Sequence, residues 1–286
     1  MKETQTHIVP LSIESMRLQA YGVGIFEALK TKSAFKKAIK KGLIQVNGCP
    51  ATTGIIISGG ELISLKYTEV AEKESRLVYP LSVLYEDEYL ALVHKPAGIL
   101  VSGNGFKTIA EALPQNLKPS SLKDARKPQP VHRIDYATTG ILMVGKTEDS
   151  VRVLNGLFEK KQIKKTYYAI TIGEMTNSQG TISHDIDNKP ALSEYNVEKT
   201  VISERFKRLN LVKLNPKTGR RHQLRKHLFK IGNPILGDRD YFNEGLLLKG
   251  KGMYLHATTL EFTHPFTGEK ISLEDPLPSR FKKIFP

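Results

Sequence analysis

The sequence predicts an α+β protein of two domains, and three observations lead to this prediction. The chain has 286 residues, against about 150 for an ordinary domain. Hydrophobic residues make up 40% of it and charged residues 25%, which is a composition that builds packed cores. Strand-like and helical patterns alternate irregularly, with no βαβ rhythm and no internal repeat. This order excludes a doubly wound α/β fold and indicates an α+β fold.

The net charge indicates a polyanionic partner. Lys and Arg number 43 against 29 Asp and Glu, so the formal net charge is +14, and the pI is near 9.6. A core does not need such an excess, whereas the phosphates of a nucleic acid attract it. Nucleic acid is therefore the first expectation, and an anionic membrane surface is the second.

Cysteine usage and hydropathy exclude several classes of protein. A single cysteine, Cys49, cannot form an intrachain disulfide framework or a Cys-rich zinc module. The N-terminus is polar, which does not fit a secretory signal. No stretch reaches the roughly 18 apolar residues that a membrane span requires. We expect a cytoplasmic protein with no membrane partner.

The first elements of the chain are predicted to be two helices. Residues 25–29 have a short helical pattern, and residues 34–41 a longer one, with Ser33 as N-cap and Gly42 as terminator. The side chains that should face inward at helical spacing are Phe35, Ala38 and Ile39. The remaining surface carries four lysines, here called the lysine face: Lys36, Lys37, Lys40 and Lys41. Taken alone, this face is typical of an ordinary solvated helix.

Strand signals follow the basic helix. Residues 43–46 predict a strand that ends at an Asn47-Gly48 turn, and short strands are predicted on both sides of a Gly59-Gly60 turn. The order helix, basic helix, Gly-x-Ile/Val-x-Val-Asn-Gly and Gly-Gly/Asp hairpin, here at Gly59-Gly60, resembles the alpha-L RNA-binding module first described in a ribosomal small-subunit protein. The resemblance implies that the lysine face lies on RNA phosphates. The sequence departs from it at 19–24, where the family's Arg-x-Asp-like opening is absent.

A second domain is expected to follow a linker. Residues 67–80 are charged and polar and predict that linker, so we place the domains at 1–70 and 71–286. Residues 81–93 predict two strands around an Asp87-Glu88 turn. Residues 116–130 are rich in Pro, Ser and Lys and predict an exposed loop.

A guanidinium and a carboxylate precede an apolar strand pattern. The run Ile141-Leu142-Met143-Val144 predicts a buried strand after Gly140. In the polar segment before it, Arg133 and Asp135 would lie on one side of an extended backbone, at the mouth of a core strand where functional loops often lie. The alternative is a surface ion pair worth about 0–1 kcal/mol.

A helical pattern near residue 225 carries a second charged group. Its apolar stripe consists of Leu224, Leu228 and Ile231. The helix is predicted to end at Gly232. Arg221 and Arg225 lie four apart on another face, where arginines and a helix N-terminus together can bind an anion. His222 and His227 are five apart and do not share a face, so we interpret them as surface or core histidines rather than a metal site.

Basic residues lead into an aromatic strand pattern at 164–171. Lys164 and Lys165 precede Tyr167 and Tyr168. Alone, the segment predicts a β-strand with a core tyrosine.

Together, these segments resemble the RluA family of RNA pseudouridine synthases. That family carries, in order, Lys-Pro-x-Gly, His-Arg-Leu-Asp-x-x-Thr-Ser-Gly, Lys-x-Tyr-x-Ala, and Gly-Arg-Thr-His-Gln-Ile/Leu-Arg-x-His-Leu followed by Gly-x-Pro-Ile-x-Gly-Asp. The matching segments here are 95–98, 132–140, 165–169, 219–228 and 232–238. The resemblance spans about residues 81–286, and the departures are Ile134, Thr139 and Arg221.

The resemblance implies a mixed, largely antiparallel sheet with a central cleft, and an activity that needs no cofactor or metal. The family cuts the N1–C1′ bond of a uridine in RNA, turns the uracil and rejoins it through C5. Asp135 matches the catalytic aspartate, which could attack the sugar or the base, or first take the 2′ proton. Arg225 matches the arginine that pairs with it. Tyr167 matches a tyrosine that stacks on the target base and is a candidate for proton transfer at C5.

Other residues match positions that bind the substrate. Arg133 matches the residue that occupies the place of the flipped-out nucleotide or binds its phosphate. Leu224 is expected on the apolar side of the pocket. Lys165, Arg220 and Arg221 are expected to contact the RNA, Arg221 through an additional phosphate contact.

The expected partner is structured RNA, with ribosomal RNA favoured over transfer RNA, and the protein is expected to be a monomer. The target uracil must leave its stack, which costs about a few kcal/mol and least in loops. A synthase acting on transfer RNA is one alternative, and a non-catalytic RNA-binding or ribosome-assembly protein is another. A metal-dependent nuclease would need a cluster of carboxylates and histidines with ligand spacing, which the sequence lacks.

Overall fold

The computed structural model describes residues 4–66 and 77–286. The chain forms two compact units, Met1–Ser75 and Arg76–Pro286. Most of the predicted linker and the predicted boundary at 70/71 lie outside the described residues. In the part of the chain that the structure describes, no helix combines the length and the hydropathy that crossing a membrane requires.

In its described part, residues 4–66, the first unit is built from short strands and two helices. Their bounds are β1 Gln5–Ile8, β2 Met16–Arg17, α1 Leu18–Tyr21, α2 Lys32–Lys40, β3 Ile44–Val46, β4 Cys49–Pro50, β5 Ile56–Ile57 and β6 Leu62–Leu65. Four strands form an antiparallel sheet in the order β1-β6-β3-β4, and β2 pairs with β5. Fully buried Phe35 lies in the core of this unit with Leu18, Ile44 and Ile63.

The basic helix forms as predicted, but it begins two residues earlier. Thr31 rather than Ser33 is the N-cap, because its Oγ1 accepts the N–H of Ala34 at 3.1 Å. Gly42 follows the helix with φ +70°, a conformation that favours glycine. The predicted inward side chains are buried, and the lysine face is exposed.

Two other expectations for the first unit are wrong. Residues 25–29 form turns rather than a helix, because a segment of five residues is too short to sustain a helix alone and Phe26 is buried in the core. The strands flanking Gly59-Gly60 do not pair with each other. Strand β5 pairs with β2, while β6 pairs with β1 and β3.

The second unit contains ten strands and four helices in its described part. Their bounds are β7 Val83–Glu86, β8 Leu90–Lys95, α3 Ile109–Asn116, β9 Ala125–Pro130, β10 Thr139–Thr147, α4 Glu148–Glu159, β11 Lys164–Ile172, β12 Gln179–Ser183, β13 Leu192–Ser203, β14 Lys207–Pro216, α5 Gln223–Lys230, β15 Leu255–Thr263, β16 Lys270–Glu274 and α6 Ser279–Lys282.

All ten strands join one mixed sheet. Eight run in the order β12-β13-β14-β11-β15-β10-β8-β7, with β16 beside β15 and β9 beside β10. The pair β10–β15 is parallel, and the other strand pairs in this sheet are antiparallel. The predicted α+β class is confirmed.

The two faces of the sheet are packed against separate apolar clusters. In β10, Leu142 and Val144 pack into one cluster and Ile141 and Met143 into another. Every residue of β10 is buried, which confirms the predicted core strand. The strands predicted around Asp87 are also confirmed, since the Asp87 carboxylate accepts the N–H groups of Tyr89 and Leu90 at 2.7 and 2.8 Å.

The predicted loop at 116–130 is only partly correct. Its last residues form β9, which pairs with β10 alone. An edge strand tolerates Pro128 and Pro130 because one side of its backbone needs no ladder partner. The proline content of residues 125–130 therefore predicts a loop, whereas these residues form an edge strand.

Candidate active site

Asp135 lies in a tight turn that leads into β10. The N–H of Thr138 donates to the Asp135 carbonyl at 3.1 Å, and the N–H of Gly98 donates to the Tyr136 carbonyl at 2.8 Å. The preceding Ile134 is buried in the core. The backbone of the turn is thereby fixed, while the Asp135 side chain keeps 21% of its surface exposed.

The parallel strand pair fixes the end of this turn. Gly140 has φ +119°, and a Cβ built on it would lie 2.2 Å from the carbonyl oxygen of Ala257, so only glycine permits this approach. One residue earlier, the Thr139 hydroxyl donates to Nδ1 of His256 at 2.8 Å. The other ring nitrogen, Nε2, donates to the Asp275 carbonyl at 3.0 Å, which assigns the proton of His256 to Nε2.

Arg225 on α5 is held by two carboxylates other than Asp135. Its Nε and Nη2 donate to Asp238 at 2.7 and 2.6 Å, and Nη2 also donates to Asp240 at 2.7 Å. Burial would lower the pKa of Arg225, but the hydrogen bonds and charges of these carboxylates outweigh it and raise the pKa. The guanidinium is therefore a fixed positive charge with one nitrogen, Nη1, left for other partners.

That remaining nitrogen faces Asp135. Nη1 of Arg225 lies 3.6 Å from Oδ2 of Asp135, and Nε2 of His222 lies 3.9 Å from its Oδ1. The His222 ring is positioned by Tyr241, whose hydroxyl is 3.1 Å from Nδ1. Burial lowers the pKa of His222 more than the Asp135 charge raises it.

Tyr167 reaches the same site from β11. In the sheet register, Ala257 pairs with Gly140 on one side and with Tyr167 on the other. One row of the sheet thus brings Tyr167 towards the Asp135 turn. Burial, and secondly the negative charge of Asp135, raises the pKa of Tyr167, so the phenol keeps its proton. Leu224 is buried in an apolar cluster against which Tyr167 packs.

Lys95 is buried beneath the turn that carries Asp135. It has no exposed surface, and its Nζ donates to the carbonyls of Pro96, Tyr136 and Thr138 at 2.7, 3.3 and 2.9 Å. Burial lowers its pKa to about 8, against the opposing pull of Asp135. The lysine therefore ties the turn to the end of β8.

The other residues predicted to bind substrate differ in exposure and in the groups they contact. Arg133, Arg220 and Arg221 are exposed, and Arg220 Nε donates to the Pro190 carbonyl at 3.1 Å. Arg221 precedes α5, so the prediction that it shares a helix face with Arg225 is wrong. The reason is that His222 adopts φ +55°, in the left-handed region, and the helix starts after it.

Lys165 has a different environment from Tyr167. Its Nζ lies 5.8 Å from the centre of the Phe158 ring, and burial lowers its pKa. The positive charge of Lys165 adds to burial in lowering the pKa of His132. Nε2 of His132 accepts the N–H of Met143 at 2.9 Å. The strand has a register shift between Thr166 and Tyr167. The structure does not bring Lys165 into contact with Asp135.

Sequence reasoning missed several members of the cluster. The spacing of His222 predicts a surface or core histidine, yet the residue lies beside Asp135. Asp238 is fully buried and forms the main ion pair of Arg225, although the sequence marks it only as the end of a matched motif. Asp240 and Tyr241 follow two and three residues later. The sequence signal that could have identified Asp238 is its position after Gly237 in an apolar segment that follows the helix, because an acidic residue in apolar surroundings needs a cation.

The cluster is equipped for acid–base or nucleophilic chemistry on a substrate that carries negative charge. A partly exposed carboxylate lies beside a fixed guanidinium and a protonated phenol, which are groups that can attack, take or give a proton. Within residues 4–66 and 77–286, no group of three or more His, Cys, Asp or Glu is arranged to hold a metal ion.

Known proteins are similar in sequence to this chain. A family model described as RNA pseudouridylate synthase matches residues 89–230. A "Ribosomal large subunit pseudouridine synthase C" of Rickettsia felis is 30% identical over 95% of this chain and 96% of its own length. An "Uncharacterized RNA pseudouridine synthase" of Aquifex aeolicus is 32% identical over 89% of this chain and 88% of its own length.

Solved structures give the same result for the fold. The human RNA Pseudouridylate Synthase Domain Containing 4 matches with a TM-score of 0.57 and 26% identity, over 70% of this chain and 90% of its own. Human RNA Pseudouridylate Synthase Domain Containing 1 has the same TM-score at 25% identity, over 68% and 83%.

Proposed function

Because the chain belongs to the RNA pseudouridylate synthase family, we propose that it isomerises uridine to pseudouridine in large-subunit ribosomal RNA, with Asp135 as the catalytic group. The enzyme is an RNA pseudouridine synthase, an isomerase. The observation that carries the assignment of Asp135 is its position 3.6 Å from an arginine that two other carboxylates already hold in place.

The surroundings of Asp135 support distinct roles for its neighbours. Arg225 places a fixed positive charge beside the carboxylate, and Tyr167 offers a protonated phenol for stacking on the uracil and for proton transfer at C5. Leu224 supplies apolar surface for the base.

The exposed arginines are proposed to hold the RNA around the pocket. Arg133 precedes Asp135 by two residues, and Arg220 and Arg221 lie just before α5, all three exposed. Guanidinium groups bind phosphates through paired hydrogen bonds. Such contacts offset the cost of removing the uracil from its stack, which is about a few kcal/mol. Lys165, on the next strand, is proposed as a weaker contact because it is partly buried.

The first unit is proposed to be an alpha-L RNA-binding module. Its α2 helix keeps an apolar side in the core and presents the lysine face to solvent, as phosphate binding without sequence readout requires. With this assignment, the domains are the RNA-binding module before the undescribed segment 67–76 and the catalytic domain after it.

Ribosomal RNA is favoured over transfer RNA because relatives from several bacteria are named for the ribosomal large subunit. This substrate also favours a cytoplasmic site of action. A non-catalytic RNA-binding role is not favoured, since Asp135 and Arg225 are both present and adjacent.

The catalytic proposal is tested by tritium release from RNA labelled at C5 of uridine. Wild type should release tritium, and Asp135→Asn should not, because an amide can neither attack nor take a proton. Asp185→Asn, which changes an exposed aspartate of the same unit, should retain full activity. Full activity in Asp135→Asn would contradict the mechanism.

The substrate is tested by mapping pseudouridines in total RNA from a strain that lacks the gene. Loss of a site in large-subunit ribosomal RNA, restored by wild type but not by Asp135→Asn, is expected. A site lost only from transfer RNA would overturn the substrate proposal and leave the activity standing.

A further inference from the structure

An exposed aromatic side chain follows the catalytic aspartate directly. Tyr136 has 56% of its surface exposed, and no described residue forms a hydrogen bond with its hydroxyl. Its backbone, by contrast, is fixed, since its carbonyl accepts from the N–H of Gly98 at 2.8 Å and from Nζ of Lys95 at 3.3 Å. The point from which the ring projects is therefore fixed, while the ring itself is exposed.

The turn separates the two neighbouring side chains. The Asp135 carboxylate faces Arg225 and His222, whereas the Tyr136 hydroxyl lies over Gly98, 3.9 Å from where a Cβ of that glycine would be. Gly98 has no side chain to cover the ring. A uracil next to Asp135 would thus have a solvent-facing aromatic side chain on the adjacent residue of the same turn.

Base flipping creates a need for such a ring. When a uridine leaves its stack, the base that follows or precedes it loses a stacking partner on one face. Aromatic side chains replace such a partner, and alanine substitution at a stacking position costs roughly 5-fold to 150-fold in affinity. A purine offers a larger face to stack on than a pyrimidine does.

We propose that Tyr136 stacks on the base adjacent to the target uridine and makes the enzyme prefer a purine at that position. This inference rests on the proposed function, because it requires that a uridine be flipped towards Asp135. Tyr136 is assigned to substrate positioning and specificity, and the bond-breaking steps do not involve it.

The test compares variants on matched RNAs. The probe is a stem-loop transcript around the uridine that mapping identifies, made with adenosine or with uridine at each neighbouring position in turn, and tritium release gives kcat/KM. Wild type should prefer adenosine at one of the two positions. Tyr136→Ala should lose roughly tenfold in kcat/KM on the adenosine RNA, mainly through KM, and little on the uridine RNA.

Control variants separate stacking from a structural role. Tyr136→Phe keeps the ring and should retain both the rate and the preference, whereas Tyr136→Leu should resemble Tyr136→Ala. Ile202→Ala, which removes a 90% exposed side chain from β13, should change neither. All four should melt near the wild-type temperature.

The outcomes are distinguishable from failure of the proposed function. If wild type releases no tritium from ribosomal or transfer RNA, the proposed function fails. If wild type is active but Tyr136→Ala keeps the neighbour preference, or loses rate equally on both RNAs, the stacking role of Tyr136 is overturned.

Discussion

Replacing Asp238 should damage both the stability and the activity of the enzyme, although this residue is fully buried and contacts Asp135 only through Arg225. Asp238→Ala removes two hydrogen bonds of 2.6 and 2.7 Å from the Arg225 guanidinium. It also removes the acceptor of the N–H groups of Asp240 and Tyr241. The arginine, only 6% exposed, would keep Asp240 and the more distant Asp135 as its partners.

The size of the effect follows from burial. Removing one partner of a buried ion pair costs about 3–5 kcal/mol, because the guanidinium stays buried while its remaining carboxylates, Asp240 and Asp135, are partly exposed to water. Asp240 bonds the same arginine at 2.7 Å but is 59% exposed, so Asp240→Ala should cost only about 0–1 kcal/mol. The two variants remove the same kind of contact from one guanidinium, and they differ in how much water surrounds the carboxylate.

The assay is thermal unfolding followed by circular dichroism, since the chain has no Trp. For a unit of this size, 1 kcal/mol corresponds to about 2–4 °C, so Asp238→Ala should lower the melting temperature by about 6–20 °C and Asp240→Ala by at most about 4 °C. Tritium release, measured well below both transitions, should also fall in Asp238→Ala, by up to about 100-fold, because a misplaced Arg225 no longer positions Asp135.

One result would refute this reasoning. If Asp238→Ala melts within about 2 °C of Asp240→Ala, the burial of a carboxylate does not determine how much it contributes to the stability of the protein. A double-mutant cycle adds an independent check. Arg225→Met alone should also be strongly destabilising, whereas Arg225→Met combined with Asp238→Leu should cost less than the two single changes together.

Three further predictions concern other parts of the chain. Gly140→Ala should lower stability by at least about 1–3 kcal/mol, since the added Cβ meets the Ala257 backbone. Gly156→Ala adds its Cβ in open space within α4 and should raise stability by about 0.5–1 kcal/mol. Melting temperatures of the two variants that shift in the same direction would contradict this. Burial lowers the pKa of His132 to about 3, so the folded protein keeps this residue neutral at pH values below about 6.5, at which the unfolded chain protonates it. The contribution of His132 to the free energy of unfolding should fall by about 2 kcal/mol between pH 7 and pH 5. Urea titrations of His132→Gln should not show this loss. Changing the lysine face to glutamine should weaken RNA binding and flatten the log–log salt dependence by about 0.7–0.9 for each phosphate that the helix no longer neutralises; an unchanged slope would exclude this helix from the RNA.

Local patterns in the sequence are sufficient to predict the strands and helices with strong periodicity. The run Ile141-Leu142-Met143-Val144 and the Phe35/Ala38/Ile39 spacing both predict burial correctly. Errors arise where tertiary context outweighs local preference. The helix predicted at 25–29 is too short to form alone, and Pro128 and Pro130 are accepted in β9 because it lies at an edge.

The site could be predicted in part. Motif order leads to Asp135, Tyr167 and Arg225, and the structure brings these three together. The support of Arg225 by Asp240 could not be inferred, because it depends on how the chain after α5 turns back. His222 escapes prediction for a related reason, since its left-handed backbone places its ring beside Asp135 only once Tyr241 is in position.

The parallel pairing of β10 with β15 has a consequence for protein synthesis. Thr139 and His256 are 117 residues apart in the chain, so the turn that carries Asp135 lacks its supporting strand until residues 255–263 have been translated. At roughly 5–20 residues per second, the delay after Thr139 is made is about 6–24 s. The first unit, residues 1–75, precedes this interval entirely. A ribosome-bound chain therefore already contains the whole first unit while the turn that carries Asp135 is still incomplete.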